Sequence, residues 1–318
     1  MLRDFLRTIA VLSAFQCVSW LRRGIIKDGF HLLSTGAGVM PRSDFDHFLL
    51  TRFNVRFDAK SRAPSDEWLR RRLDIMRQWA LPAVRRQTAS LDGWLVFCDA
   101  GSPAWFRDEM SALLRAPEVP VWVDGLFCTQ TVTTALEKRM SNRQFLITTR
   151  VDNDDSISID FIQLVQKYFR YQEREFINFT YGSQYGNGHL YFRADPSNAF
   201  ISLIERRRER APMSVFVDMH TVVQKYGPVR QVRTHPTWIQ NVHGDNVANC
   251  IRGIPVDPDK VLRHFVLDIP IERQNSLSLL AHKIRMLTIL TFRVFSSLNR
   301  IKWLLKVLLS GSGRGASL

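Results

Sequence analysis

A chain of 318 residues, 45% hydrophobic and 23% charged, can bury a substantial core as one large domain with appendages, which excludes a disordered chain. Forty-four Lys and Arg against 30 Asp and Glu give a net charge of +14, which calls for an anionic partner: nucleic acid, an acidic membrane face or phosphorylated substrates. Cys17, Cys98, Cys128 and Cys250 lie far apart and form no C-x-x-C pair, so neither a zinc site nor a disulfide framework is indicated, and a reducing, cytosolic setting is expected.

Residues 1–40 read as an extension and linker. Ile9 to Leu21 is largely apolar but shorter than the roughly 18 to 20 residues of a membrane span, and no small-residue cleavage site follows it. An amphipathic surface segment, or an extension translated from an upstream start, fits better, and Ser34 to Pro41 is the linker. A globular domain over 45–268 then begins. Phe48 to Phe57 alternates as a first strand, and Asp66 can cap a helix with apolar positions Leu69, Leu73, Met76, Ala80 and Val84. Its arginines, Arg70 to Arg72, Arg77, Arg85 and Arg86, read as a solvated face. Trp94 to Cys98 is a second strand ending at Asp99, a helix runs from Pro103 to about Leu114, Val119 to Val123 is a third strand, and a helix surrounds Val132 to Arg139. This alternation predicts a mostly parallel sheet with right-handed crossovers. No G-x-G-x-x-G or Walker pattern follows any of these strands, which argues against a dinucleotide dehydrogenase or a P-loop ATPase.

Phe145 to Thr149 is a short β-branched run, a buried strand that stops in acid: Asp152, Asn153, Asp154, Asp155. Ser158 or Asp160 could cap the helix that follows. The plain alternative is a strand-to-helix turn, since Asp and Asn bond to local backbone. At the carboxyl end of a strand in a basic chain, however, the cluster points to a hard divalent cation completed by bound phosphates. A haloacid-dehalogenase pattern would share the Asp152–Asp154 spacing but continues differently after it.

Beyond the acidic motif the rhythm changes. Phe176 to Tyr181 and His189 to Arg193 read as a hairpin about a Gly-rich turn, Ile201 to Glu209 as a short helix with a basic cluster, and Met213 to Asp218 as a strand. His235 to Asn246, HPTWIQNVHGDN, sets His235, His243, Asp245 and Asn246 on a loop. A histidine there is either a packed core residue or a metal ligand. After Glu272 the chain holds eight Lys and Arg and no acid. Residues 276–309 read as a basic amphipathic helical tail for an anionic interface, with packing on the domain or on a second subunit as the alternative.

TRFNVRF, GWLVFCDAGSP, TTRVDNDDSIS and HPTWIQNVHGDN, in this order, resemble the bacterial rhamnosyltransferase family of GT-A type glycosyltransferases, from about Phe45 to Asp268. The resemblance implies an α/β, Rossmann-like fold with a mostly parallel mixed sheet flanked by helices. It implies a nucleotide-sugar donor, with rhamnose as the transferred sugar, and a glycan or lipid-linked acceptor. Carried over, the acidic motif is the family's DxD: Asp152 and Asp154 would take Mn2+ or Mg2+ and the nucleotide phosphates, and His243 would complete the metal shell. The first 40 residues and the tail fall outside this pattern.

The chemistry adds its own demands. A departing diphosphate needs its charge neutralised, for which Arg52 and Arg150 are candidates beside the ion. The base and ribose are expected in a cleft formed by Thr51 to Asn54 and Asp99. An inverting reaction also needs a carboxylate base, either Asp218 or Asp245. The rival reading, a non-enzymatic basic nucleic-acid- or membrane-binding protein, would for nucleic acid need aromatics interleaved with basic residues, and that pattern does not appear, so no nucleic acid is expected as partner. The tail places the enzyme at the inner face of the cytoplasmic membrane, with a homodimer through the tail as the other outcome.

Overall fold

The computed structural model describes residues 44–60, 63–208, 211–243, 250–269, 271 and 276–295. The extension over residues 1–40, Asp245, and the tail beyond residue 295 lie outside them. Two sheets carry the fold.

The larger sheet begins with four strands joined by helices: β1 (Phe45–Arg52), β2 (Gly93–Asp99), β3 (Glu118–Val123) and β4 (Phe145–Arg150). All their pairings are parallel, with β1 between β2 and β4. Alternate side chains feed the two faces. Leu49, Val96 and Ile147 pack with Leu69, Leu73 and Met76 of α1 (Asp66–Gln78), Phe106 and Met110 of α3 (Ala104–Leu113) and Ile162 of α5 (Phe161–Gln166). Phe48, Leu50, Leu95 and Leu146 pack with Val132 and Leu136 of α4 (Thr129–Glu137) and with Val215 and Phe216. The chain reverses winding at β1, so the crevice beyond the carboxyl ends of β1, β2 and β4 is the topological switch point, where open α/β sheets bind ligands.

Several elements differ from the sequence reading. The first strand starts at Phe45 and stops at Arg52, which puts Arg52 at its carboxyl end and Asn54 in the crevice loop. The long helix is two, α1 and α2 (Ala80–Arg85), and Ser65 rather than Asp66 caps it, its Oγ accepting from Trp68 N–H at 3.2 Å. Ile201 to Arg206 is not helical but a strand, β9, antiparallel to both β4 and β6 (Arg174–Phe179). Its first five residues are buried, so its apolar run carries no period to separate strand from helix. Met213 to Asp218 forms no strand. Its N–H groups find side chains instead: Glu205 accepts from Met213 and Ser214 at 3.0 and 2.9 Å, and Thr148 Oγ1 from Val215 at 2.8 Å. β10 (Val229–Val232) closes this sheet beside β6.

The second sheet has the order β12-β8-β7-β11-β5. Its hairpin joins β7 (Tyr181–Gly186) to β8 (His189–Ala194), one strand later than expected, because Asn187 and Gly188 both take positive φ and make the two-residue turn. β5 (Ser156–Ile157) follows the acidic motif, β11 (Trp238–Asn241) lies inside the stretch read as a loop, and β12 (Ile254–Pro255) pairs with β8. Trp79, Leu190, Phe192, Ile239 and Val261 of α6 (Pro258–Leu262) fill the core behind this sheet. The described part of the tail is one helix, α7 (Ser276–Phe295).

Candidate active site

The two informative stretches of the sequence meet through a β-ladder. β5 and β11 pair antiparallel with Trp238 opposite Ile157 and Ile239 opposite Ser156. That register carries residues 241–243 back along the acidic motif. Asn241 N–H donates to Asp155 Oδ1 at 2.9 Å, and His243 Nε2 lies 3.1 Å from Asp154 Oδ2.

Three arginines close on this motif. Arg150, at the end of β4, forks onto Asp152 through Nε and Nη2 at 3.2 and 2.7 Å, and Arg52 Nη2, at the end of β1, lies 3.9 Å from the same carboxylate. Arg72 of α1 donates through Nη1 to Asp154 Oδ2 at 2.9 Å, sits 3.2 Å from His243 Nε2, and bonds Asn153 Oδ1 through Nη2. The guanidinium groups of Arg52 and Arg150 also lie over the Phe216 ring, at 5.0 and 5.8 Å from its centre.

The charges respond to this packing. Burial works against the charge on Asp152, but Arg150 and then Arg52 hold its carboxyl at about 2. Burial likewise opposes ionisation of Asp154, and contact with His243 and Arg72 overcomes it, leaving the pKa lowered. Asp155 goes the other way: burial, then the neighbouring Asp154 and Asp152, push it well above the usual carboxylate range. Burial and the nearby Arg150 lower His220 to about 4. Arg150 Nη1 is 3.2 Å from His220 Nδ1, so a neutral ring accepts there and carries its proton on Nε2. Three arginines against two carboxylates held low leave this edge cationic.

The predicted site residues divide accordingly. Arg52, Arg150 and Asp152 form one group and Asp154 and His243 another. Asn54 and Asp99 form a third: Asn54 Oδ1 accepts from Asp99 N–H at 3.1 Å, Asn54 Nδ2 donates to Ser102 at 2.9 Å, and the Asp99 carboxylate takes Gly101 N–H at 3.0 Å and pairs with Arg56 at 3.0 Å. Thr51 lies under the site rather than in it: fully buried, it donates to Val151 O at 2.7 Å and accepts from Trp94 Nε1 at 2.9 Å. Asp218 takes Met219 N–H at 2.7 Å and Tyr226 Oη–H at 2.9 Å, and these bonds lower its pKa, which weakens it as a base. His220, two residues on, is the side chain of that loop that reaches Arg150.

Asp152, Asp154 and His243 do not gather as a set of metal ligands. Asp152 turns to Arg150 and Arg52, and among the described residues no three His, Cys, Asp or Glu side chains are placed to hold an ion. Guanidinium groups pair with both Asp152 and Asp154 of this cluster.

Arg72 is the residue the sequence reading missed. It belongs to the buried face of α1 with Leu69, Leu73 and Met76, three residues after Leu69 and four before Met76, and only 9% of it is exposed. A charge on the apolar stripe of an amphipathic helix was the available signal, since such a group must find a partner inside.

A crevice lined by arginines and carboxylates at the switch point of an α/β sheet suits a phosphorylated ligand. The family model described as Putative rhamnosyl transferase matches residues 56–254, and the chain belongs to that family. It is a glycosyltransferase. No curated protein matches the sequence. Among solved structures, residues 1–349 of Staphylococcus aureus TarS in complex with UDP-GlcNAc are similar at 10% identity and TM-score 0.37, over 80% of this chain and 73% of that one. Rv0371c from Mycobacterium tuberculosis H37Rv is similar at 14% identity and TM-score 0.32, over 60% and 88%. A protein from Desulfovibrio desulfuricans G20 described as "putative nucleotide-diphospho-sugar transferase" is similar at 13% identity and TM-score 0.33, over 78% and 98%.

Proposed function

We propose that the protein transfers a sugar, rhamnose by its family's description, from a nucleoside-diphosphate donor to a hydroxyl of a glycan or lipid-linked acceptor. The observation that carries this reading is the placing of Arg52, Arg150 and Asp152 together at the carboxyl ends of β1 and β4. In the reaction the bond from the sugar's anomeric carbon to the phosphate oxygen breaks, and its electron pair leaves with the diphosphate. The acceptor oxygen bonds to the anomeric carbon and gives up its proton to a base. Arg52 and Arg150 face the charge that grows on the leaving group, in a site that excludes much of the water that would screen it. Asn54 and Asp99, beside them at the ends of β1 and β2, hold the nucleoside, Asp99 accepting from a base N–H. Asp218 is engaged with Tyr226. Asp245, two residues beyond His243 in the chain, is therefore the better candidate for the base. Incubation of the purified full chain with a panel of nucleotide sugars and acceptor glycans, scored by release of nucleoside diphosphate and a mass gain on the acceptor, tests this. Release with no panel member would sink it.

The proposed place of work is an anionic membrane face. The His282 ring of α7 sits 5.4 and 5.5 Å from the His189 and Tyr191 rings of β8, while Leu277, Leu280 and Ile284, at helical spacing on the side turned away, are 79%, 54% and 57% exposed. Lys283 and Arg285 flank that stripe in the helical order, suited to lipid headgroups beside apolar insertion. Co-sedimentation with vesicles containing anionic lipid should fall when Leu277, Leu280 and Ile284 become Ser. Should the protein stay in the supernatant while those changes split a dimer, the stripe is a subunit contact.

A further inference from the structure

We propose that Arg72 is the resident cation of the Asp154–His243 pair, so that binding of the donor diphosphate runs on guanidinium charge and needs no divalent ion. The inference rests on the glycosyl-transfer reading and deepens it.

Arg72 occupies the point onto which both donors converge. Its Nη1 lies 2.9 Å from Asp154 Oδ2 and 3.2 Å from His243 Nε2, and those two atoms are 3.1 Å apart. Nη1 donates to the carboxylate oxygen, and His243 Nε2, which meets that same oxygen, lies beside it. A divalent ion would bind those same lone pairs, at about 2.0 to 2.6 Å. At Oδ2 and Nε2 together it would have to displace Nη1.

Displacement is opposed by the way Arg72 is held. It projects from the buried face of α1 between Leu69, Leu73 and Met76, its Nη2 is bonded to Asn153 Oδ1, and the Trp68 ring lies 5.4 Å from its guanidinium carbon. The charge balance points the same way. Asp152 is already paired with Arg150 and Arg52, and Asp154 with Arg72, so an added ion of charge +2 would enter among three guanidinium groups. A diphosphate would enter favourably. Two buried donors at this place, Arg72 Nε and Asn153 Nδ2, also have no hydrogen-bond partner among the described residues, and phosphate oxygens are acceptors that suit such groups.

The test uses the full chain, with UDP and dTDP as probes in titration calorimetry and Mn2+ alone as probe in electron paramagnetic resonance. The wild type should bind the nucleoside diphosphate with affinities in EDTA and in Mn2+ that agree within about twofold, and should bind Mn2+ weakly. Arg72→Gln, which keeps a polar group but removes the charge, should lose about tenfold or more in EDTA, as expected for a lost charged hydrogen bond. Mn2+ should restore that loss, and Mn2+ alone should bind the variant more tightly than the wild type. Arg72→Lys, which retains the cation, should remain indifferent to EDTA. Wild-type binding that EDTA abolishes and Mn2+ restores would overturn the proposal, and this arm needs no variant to fold. If neither nucleotide binds in either medium, the donor reading fails. The comparison of Mn2+ binding by wild type and Arg72→Gln then still decides whether Arg72 holds the cation position.

Discussion

The same two segments of chain make two Asp–His contacts, and the contacts behave differently. At one end of the β5–β11 ladder His235 Nε2 lies 3.1 Å from Asp160 Oδ1, and at the other His243 Nε2 lies 3.1 Å from Asp154 Oδ2. Asp160 itself meets a hydroxyl and an imidazole: Ser158 Oγ–H donates to it at 2.7 Å, and the His235 ring lies 4.0 Å from His264, which Arg263 Nε meets at 3.1 Å. Around Asp154 stands the Arg72 guanidinium, with Asp152, Arg150 and Arg52 along the same motif. An Asp–His distance alone is therefore no site. The cations beside it and its position at the switch point separate a fastening from a functional group.

The largest contrast should come from removing each carboxylate. Asp154→Ala should lower sugar transfer by about a hundredfold or more, as for loss of a preorganised electrostatic group, and should leave Arg72 buried without its counter-charge. Asp160→Ala should leave the transfer rate within about twofold, since its loss breaks two partly exposed contacts. Equal losses in the two variants would erase the distinction. Rates of nucleoside-diphosphate release give the comparison directly.

Both contacts hang on β11, so one residue should disturb them together. Trp238 is buried, stacks on Phe200 at 5.1 Å and donates to Phe179 O at 2.8 Å. A Cβ at Gly182, on the neighbouring β7, would fall 2.0 Å from the Trp238 ring. Gly182→Ala should therefore cost about 3 kcal/mol or more in chemical denaturation and lower transfer as well. A stable Gly182→Ala variant with wild-type transfer would show that the ladder does not position the site.

Arg150→Gln should act on the donor more than on the fold, raising the KM for nucleotide sugar by about tenfold, the scale of one charged hydrogen bond. Arg263→Gln, beside the other pair, should leave that KM unchanged, as measured by initial rates over donor concentration.

The smallest effect separates the two regions by pH. Burial and Arg150 lower His220 from 6.5 to about 4, and burial and the neighbouring His235 lower His264 from 6.5 to about 4. Above pH 6.5 each is neutral whether folded or unfolded. Between pH 6.5 and 4 the unfolded chain takes the protons and the folded chain refuses them, so stability falls as pH falls through that window. His220→Gln and His264→Gln should each flatten part of the decline in melting temperature. Asp152, held at about 2 against an ordinary 3.8, adds a loss only below about pH 4. A melting temperature independent of pH from 6.5 to 4 would contradict the burial of both rings.

What the sequence by itself determined was the parallel half of the fold and the strand-end position of the acidic motif. The β1–β4 alternation is written in periods of apolar residues, and a carboxylate run after a buried strand is legible because it breaks that pattern. Buried strands without alternation, such as β9, were not legible, because a continuous apolar run serves strand and helix equally. Only the tertiary structure brought His243 to Asp154, since a register between residues about 90 apart depends on β7 and β8 holding β11 in place. It also decided what balances the carboxylates. Counting charge along the chain suggested a metal ion, whereas the helix face that turns Arg72 inward supplies a cation from 82 residues earlier. Which charges meet is set by packing, and packing is not local in sequence.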